Sequence, residues 1–192
     1  MKRKGITRHS PRIGSITVHD FNSSSQARQQ RTPSVADILS VLKAEHALIR
    51  KLFKRLDLTT DRATRMRTDL LEQIERSLKP HSAWENTVFY PALARRAGSA
   101  GLKALAEAVE EHRILDSLVL SDVRLAHPGT RIFAGNAKVF AELVSHHAKK
   151  EEMTMFAEAR KLFTMEERRQ MAEDYMAWKS GMASEHPTVI NG

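Results

Sequence analysis

Cysteine is absent from the 192 residues. That excludes disulfide frameworks, thiolate zinc sites and cysteine nucleophiles, and it leaves histidine and carboxylate as the only holders for a metal ion. Long apolar runs are also missing. None approaches the roughly 18 residues needed to cross a bilayer, and the N-terminus lacks the apolar stretch of a secretory signal, so a soluble, cytoplasmic protein with no membrane partner is expected. No segment alternates apolar and polar residues as a strand does, and His-Glu-x-x-His does not occur, which leaves a zinc protease without support. What is present is a hydrophobic content of 41%, ordinary for a soluble chain, and the length suits one globular domain with tails.

The formal net charge of +8 is unevenly placed. Within residues 1–33, Lys2, Arg3, Lys4, Arg8, Arg12, Arg28 and Arg31 face Asp20 alone, which accounts for +6 of the total. This stretch has no helical apolar pattern, so a disordered basic tail is expected there. Its partner class, if it has one, is nucleic acid or another polyanion, bound weakly through counterion release.

After Pro33 helical periodicity is sustained, and the sequence predicts an all-α, up-down-up-down four-helix bundle over 34–163 with a C-terminal helix and tail over 164–192. Ser34 and Asp37 form a capping-box-like start for a first helix reaching about Leu58, with Ile38, Leu39, Leu42, Ile49, Leu52 and Phe53 inward. The second helix runs from after Asp61 to about Ala97, kinked at Pro80, with Leu70, Leu71, Ile74, Leu78, Val88 and Phe89 inward. The third spans about Leu102 to Ala126 on Leu105, Val109, Leu115 and Val119, and the fourth about Arg131 to Phe163 on Phe140, Leu143, Val144, Met155 and Phe156. Thr164 and Glu167 form a capping box for a fifth helix ending near Ser180.

One histidine falls on each apolar stripe. His46 follows Leu39 and Leu42, His81 follows Ile74 and Leu78, His112 follows Leu105 and Ala108, and His147 continues the row of Phe140, Leu143 and Val144. His146 points to the edge. Two of the helices add a carboxylate one turn later, giving His81 with Glu85 and His147 with Glu151. Burying four imidazoles and two carboxylates without partners costs several kcal/mol per unpaired charge. A bound cation removes that cost. Nitrogen with carboxylate oxygen suits iron, manganese or zinc, and two carboxylates between the histidines favour two ions. Counting residues to the helix ends puts the histidines at similar levels except at the first connection. There an excess of about 10 Å calls for a long loop after Leu58 or an overhanging second helix.

The segments AEHALIRKLF, HSAWENTVFYPAL, EEHRILDSL and HHAKKEEMTMF, in this order, resemble the four metal-bearing helices of hemerythrin-like, or HHE cation-binding, proteins. The resemblance covers about residues 34–180. It implies a non-heme centre of two iron ions, with His46, His81, His112 and His147 as terminal ligands and Glu85 and Glu151 as bridges. A small diatomic molecule or peroxide is then the expected partner, to be bound, sensed or turned over; iron sensing shares the same site. Ferritin-like bundles would instead need Glu-x-x-His on two helices, which this chain lacks. Oxygen-carrying hemerythrins have a second histidine one turn past the ligand on the third helix; here that position is Asp116, either a ligand itself or a partner orienting an imidazole.

The remaining prominent residues have plainer expected roles. Trp84, Phe89, Tyr90, Phe140 and Phe156 should pack around the site. Glu45, Glu111 and Glu152 adjoin the site residues in sequence and should turn about 100° away, to solvent. A non-catalytic helical interaction module with structural histidines is the competing reading.

Overall fold

The computed structural model describes Met1 and residues 36–185, with side chains as far as Gly181. The expected basic tail and the Ser34 cap therefore fall outside the described residues. Asp37 caps the first helix instead, its Oδ1 accepting from the Leu39 N–H at 2.9 Å. Among the described residues every regular element is helical. The helices are α1 (Ile38–Asp57), α2 (Thr64–Trp84), α3 (Tyr90–Ala94), α4 (Ser99–Ile114), α5 (Leu120–Leu125), α6 (Arg131–Met153), α7 (Met155–Leu162) and α8 (Met165–Glu185). A π-helical turn, Glu85–Phe89, joins α2 to α3, and a second, Leu115–Val119, joins α4 to α5. The bundle thus has four rods: α1, α2–α3, α4–α5 and α6–α7. The capping box forms as expected. Thr164 N–H donates to Glu167 Oε2 at 2.8 Å, Glu167 N–H donates back to Thr164 Oγ1 at 3.2 Å, and α8 then packs along α1.

The two π turns account for part of the departures from simple periodicity. α2 runs continuously through Pro80, and a π turn follows it from Glu85. A π turn inserts one extra residue, so the inward face slips by one position. Phe89 and Tyr90 are buried, while Val88, expected inward, is 39% exposed. Val109 and Leu143, also expected inward, are 40% and 41% exposed because they lie on the flanks of stripes that run through Ala108 and Val144. The fourth rod breaks at Thr154, whose hydroxyl donates to the Lys150 carbonyl at 2.7 Å.

The apolar core is in two parts. One contains Ile38, Leu42, Trp84, Phe89, Leu105, Phe156 and Tyr175; the other contains Ile49, Leu52, Leu78, Leu115, Phe140 and Val144. Each rod crosses from one part to the other at its histidine: His46 between Leu42 and Ile49, His81 between Leu78 and Trp84, His112 between Ala108 and Leu115, His147 between Val144 and Met155. A polar layer therefore divides the core.

Beyond the second part, one arginine ties two connections together. Buried Arg67 donates through Nε to Thr59 Oγ1 at 2.8 Å, through Nη2 to the Thr59 carbonyl at 3.2 Å and through Nη1 to the Pro128 carbonyl at 2.6 Å. His46 lies 11 residues before the end of α1, and His81 lies 17 past the start of α2. The start of α2 thus overhangs by about 9 Å, and Arg67 stands on this overhang. The connections pass so closely that a Cβ on Gly129 would lie 3.2 Å from the Asp61 carbonyl oxygen. Arg67→Met is expected to destabilise the protein by about 2–3 kcal/mol, since charged hydrogen bonds are lost and carbonyls are left unmet. Urea denaturation measures this, and a change within error of zero would show that the connections hold without it.

Candidate metal centre

Six buried side chains converge in the polar layer. His46 Nε2 lies 2.9 Å from His81 Nε2, and His112 Nε2 lies 2.8 Å from His147 Nε2. Between these pairs sits Glu85, with Oε1 3.1 Å from His81 Nε2 and Oε2 3.5 Å from His112 Nε2. Glu151 places Oε2 3.3 Å from His46 Nε2. Two donor groups result, His46 with His81, Glu85 and Glu151, and Glu85 with His112 and His147; within each, one donor atom per residue lies within 4.8 Å of the others. Local helix geometry supplies half of this, because His81 and Glu85, and His147 and Glu151, are each four residues apart on one face. His146, next in sequence to His147, is exposed.

Each imidazole is held from behind by the neighbouring rod. Glu45 Oε2 lies 2.8 Å from His81 Nδ1, Asn86 Oδ1 2.9 Å from His112 Nδ1, Glu111 Oε2 2.6 Å from His147 Nδ1 and Glu152 Oε1 3.1 Å from His46 Nδ1. The four contacts close a ring: first rod to second, second to third, third to fourth, fourth to first. Glu45, Glu111 and Glu152 therefore do not face solvent as expected. Turning about 100° from the core stripe aims them at the adjacent helix, where an imidazole awaits. Carboxylate and amide oxygens accept, so each Nδ1 carries the hydrogen and each Nε2 is directed inward for coordination. The signal was in the sequence as a repeat. Glu-His on the first and third rods (Glu45-His46, Glu111-His112) alternates with His-x-x-x-Glu plus a following acceptor on the second and fourth (Asn86, Glu152).

The electrostatics show what this layer needs. Burial, followed by the charge of His81, pushes His46 down to about 3, and burial lowers His112 to about 4, so both are neutral. For His81 burial acts downward but is outweighed by the charge of Glu85 and the bond to Glu45, which raise it to about 10. Glu85 is opposed by burial yet held near 2 by His81, while burial and then the Glu85 charge push Glu151 well above the carboxylate range. Two adjacent buried carboxylates thus draw in positive charge. All four of their oxygens lack a hydrogen-bond partner. A divalent or trivalent cation fits this set: it would satisfy the orphaned oxygens and displace the imidazole proton. Two cis nitrogens about 2.1 Å from one ion lie about 3 Å apart, close to the separation within each histidine pair.

Aromatic rings set the planes of the imidazoles. Phe156 stacks on His46 at 6.0 Å between centroids, and Tyr90 stacks on His112 at 5.6 Å. Tyr90 does more than pack, because its buried hydroxyl stands beside Glu151. In an uninterrupted helix residue 90 would be five positions past Glu85 and on another face; the π turn brings it round. Asp116 falls in neither donor group. Four residues after His112 the chain is already in the second π turn, and Asp116 Oδ2 instead accepts from Ser82 Oγ at 3.3 Å, on α2 beside His81.

The hemerythrin HHE cation binding domain family matches residues 37–159, a span that contains the whole histidine ring and both central carboxylates. A DNA nickase of Nostoc sp. (strain PCC 7120) is 26% identical over 144 residues, a match covering 75% of this chain and 39% of the nickase. The chain therefore spans well under half the length of that relative. Among solved structures, a hemerythrin HHE cation binding domain-containing protein from Mycobacterium kansasii superposes with a TM-score of 0.67 at 24% identity, over 78% of this chain and 89% of that one. At that identity the likeness speaks for the fold.

Proposed function

We propose, from the premise that the chain belongs to the hemerythrin HHE cation-binding family, that it holds two non-heme iron ions and uses them to bind or sense a small molecule such as oxygen, nitric oxide or peroxide. The observation that carries this reading is the set of buried Glu85 and Glu151 oxygens that accept no hydrogen bond and face the inward nitrogens of the histidine pairs. His46 and His81 would hold one ion together with Glu85 and Glu151, and His112 and His147 the other together with Glu85. Iron supplies reversible ligand binding and one-electron redox chemistry when bound; manganese or zinc would suit the same donors but differ in that chemistry.

The rest of the function lies in this chain's own residues. Glu45, Asn86, Glu111 and Glu152 fix the imidazole tautomers, so the site is arranged before a metal enters. Phe89, Phe156 and Tyr90 exclude water from the layer, and the Tyr90 hydroxyl is the one phenolic donor placed to hydrogen-bond a polar ligand beside Glu151. Asp116 acts from outside, fixing Ser82 next to His81. The ring is too deeply buried for a duplex backbone to reach, so the activity in the Nostoc relative's name is not proposed for this site. Polyanion binding by the basic N-terminal stretch remains a separate proposal that rests on its charge alone.

Protein reconstituted with ferrous iron under anaerobic conditions and then exposed to air is expected to retain about two iron atoms per chain after desalting. It should also show near-ultraviolet ligand-to-metal absorption that the zinc-loaded protein lacks. Retention of no iron, with the fold intact by circular dichroism, would remove the reading.

A further inference from the structure

The ring around the histidines repeats across the bundle, and the places where the repetition fails set its two halves apart. His46 and His81 are backed by two carboxylates, Glu152 and Glu45. His147 is backed by the carboxylate of Glu111, but His112 is backed by a neutral amide, Asn86, at the position where the repeat has Glu152 on the fourth rod. The central donors divide the same way: His46 and His81 converge with both Glu85 and Glu151, whereas His112 and His147 converge with Glu85 alone. A third difference comes from α8, which has no counterpart on the opposite side among the described residues. Tyr175, fully buried, donates its hydroxyl to Glu45 Oε2 at 2.7 Å, the same oxygen that faces His81 Nδ1; Lys179 Nζ bonds Glu45 Oε1 much as Lys150 Nζ bonds Glu111 Oε1 at 3.2 Å, so the tyrosine is the unmatched contact.

We infer that the two halves of the centre are unequal: the His46–His81 half takes the first metal ion and keeps it, the His112–His147 half takes the second more weakly, and Tyr175 and Asn86 set the difference. This rests on the metal-binding reading above. The physical basis is ligand basicity and order. A carboxylate behind Nδ1 makes Nε2 a stronger donor than an amide does, and outer partners of this kind change metal affinity by about 10- to 100-fold. Tyr175 and Lys179 pin Glu45 from a separate helix, so His81 loses little freedom on coordination. Tyr175 is a positioning residue that touches no metal. The second half is consequently the exchangeable one, which suits a centre whose occupancy follows metal supply.

The test is a stepwise optical titration of the full-length metal-free protein with Co(II), alongside Tyr175→Phe and Asn86→Asp. Wild type is expected to fill in two steps separated at least tenfold in affinity. Tyr175→Phe keeps the ring against Trp84 and Trp178, which lie 5.0 and 6.1 Å away, and should weaken the first step about tenfold while leaving the second. Asn86→Asp should strengthen the second step and leave the first. Two equivalent steps in wild type, or either variant moving the wrong step, overturns the proposal. A readout without metal accompanies it: nitrogen-15 spectra of the imidazoles should show the His81 tautomer disturbed in Tyr175→Phe and that of His112 unchanged. If His81 is unmoved there, a packing role explains Tyr175 and the positioning claim falls. If wild type takes up no Co(II) although the His81 signal does respond, it is the reading of a metal centre that fails, and the ordering with it.

Discussion

Glu151→Met is expected to make the metal-free protein more stable while abolishing its stabilisation by metal. Glu151 is fully buried, neither of its oxygens accepts a hydrogen bond, and burial together with the Glu85 charge pushes its carboxyl well above the usual range. Replacing such a group by an apolar side chain of similar length typically recovers about 1–3 kcal/mol, or roughly 2–10 °C in Tm for a chain of this size. The wild type should show the opposite dependence. At a free iron concentration about a thousand times the dissociation constant, binding to the folded state alone contributes about 4 kcal/mol, larger than the cost of the buried carboxylate. Calorimetric melting of both proteins with and without ferrous iron gives the four values needed. A metal-free variant that melts below metal-free wild type would mean that Glu151 is satisfied within the protein and is not kept for a cation.

The second large effect separates two adjacent histidines. His147→Ala is expected to lower iron retention from about two atoms per chain to one or fewer, with its loss concentrated on the His112 side. His146→Ala should retain both. The reason is geometric: His147 is buried, its Nε2 lies 2.8 Å from His112 and its Nδ1 2.6 Å from Glu111, whereas His146 is exposed and lines a surface groove between α1 and α6 with Arg50, Lys54 and Lys149. A helix turns 100° per residue, so with His147 aimed at His112 the side chain of His146 points to the surface. The removed imidazole also leaves a buried void and breaks the bond to Glu111, so the metal-free His147→Ala protein should lose about 1–3 kcal/mol as well. Equal iron retention by the two variants would show that His147 is not a ligand.

The face of each helix was legible because both of its determinants are local. Apolar residues three and four apart define a stripe wherever the chain is α-helical, and the capping box at Thr164 and Glu167 reads directly from two residues. The same rule placed His46, His81, His112 and His147 inward and put Glu85 and Glu151 one turn beyond their histidines. Where local geometry departs from the α period, the reading failed in proportion. The π turn at Glu85–Phe89 exchanges Val88 for Tyr90 on the inner face, and the one at Leu115–Val119 sends Asp116 to Ser82 and not to the donor groups.

By itself the sequence therefore determined an all-helical bundle and which histidines and carboxylates enter its core, since helix periodicity needs only neighbours within about two turns. Tertiary structure alone decided what stands behind those histidines. Whether Glu45, Glu111 and Glu152 meet water or an imidazole depends on how each rod is rotated against the next, and residues 36 and more apart in sequence must be brought together to form those bonds. It also decided that α8, whose own sequence advertises no site, reaches Glu45 through Tyr175 and Lys179. A contact between helices is set by packing over the whole interface, and no local period encodes it.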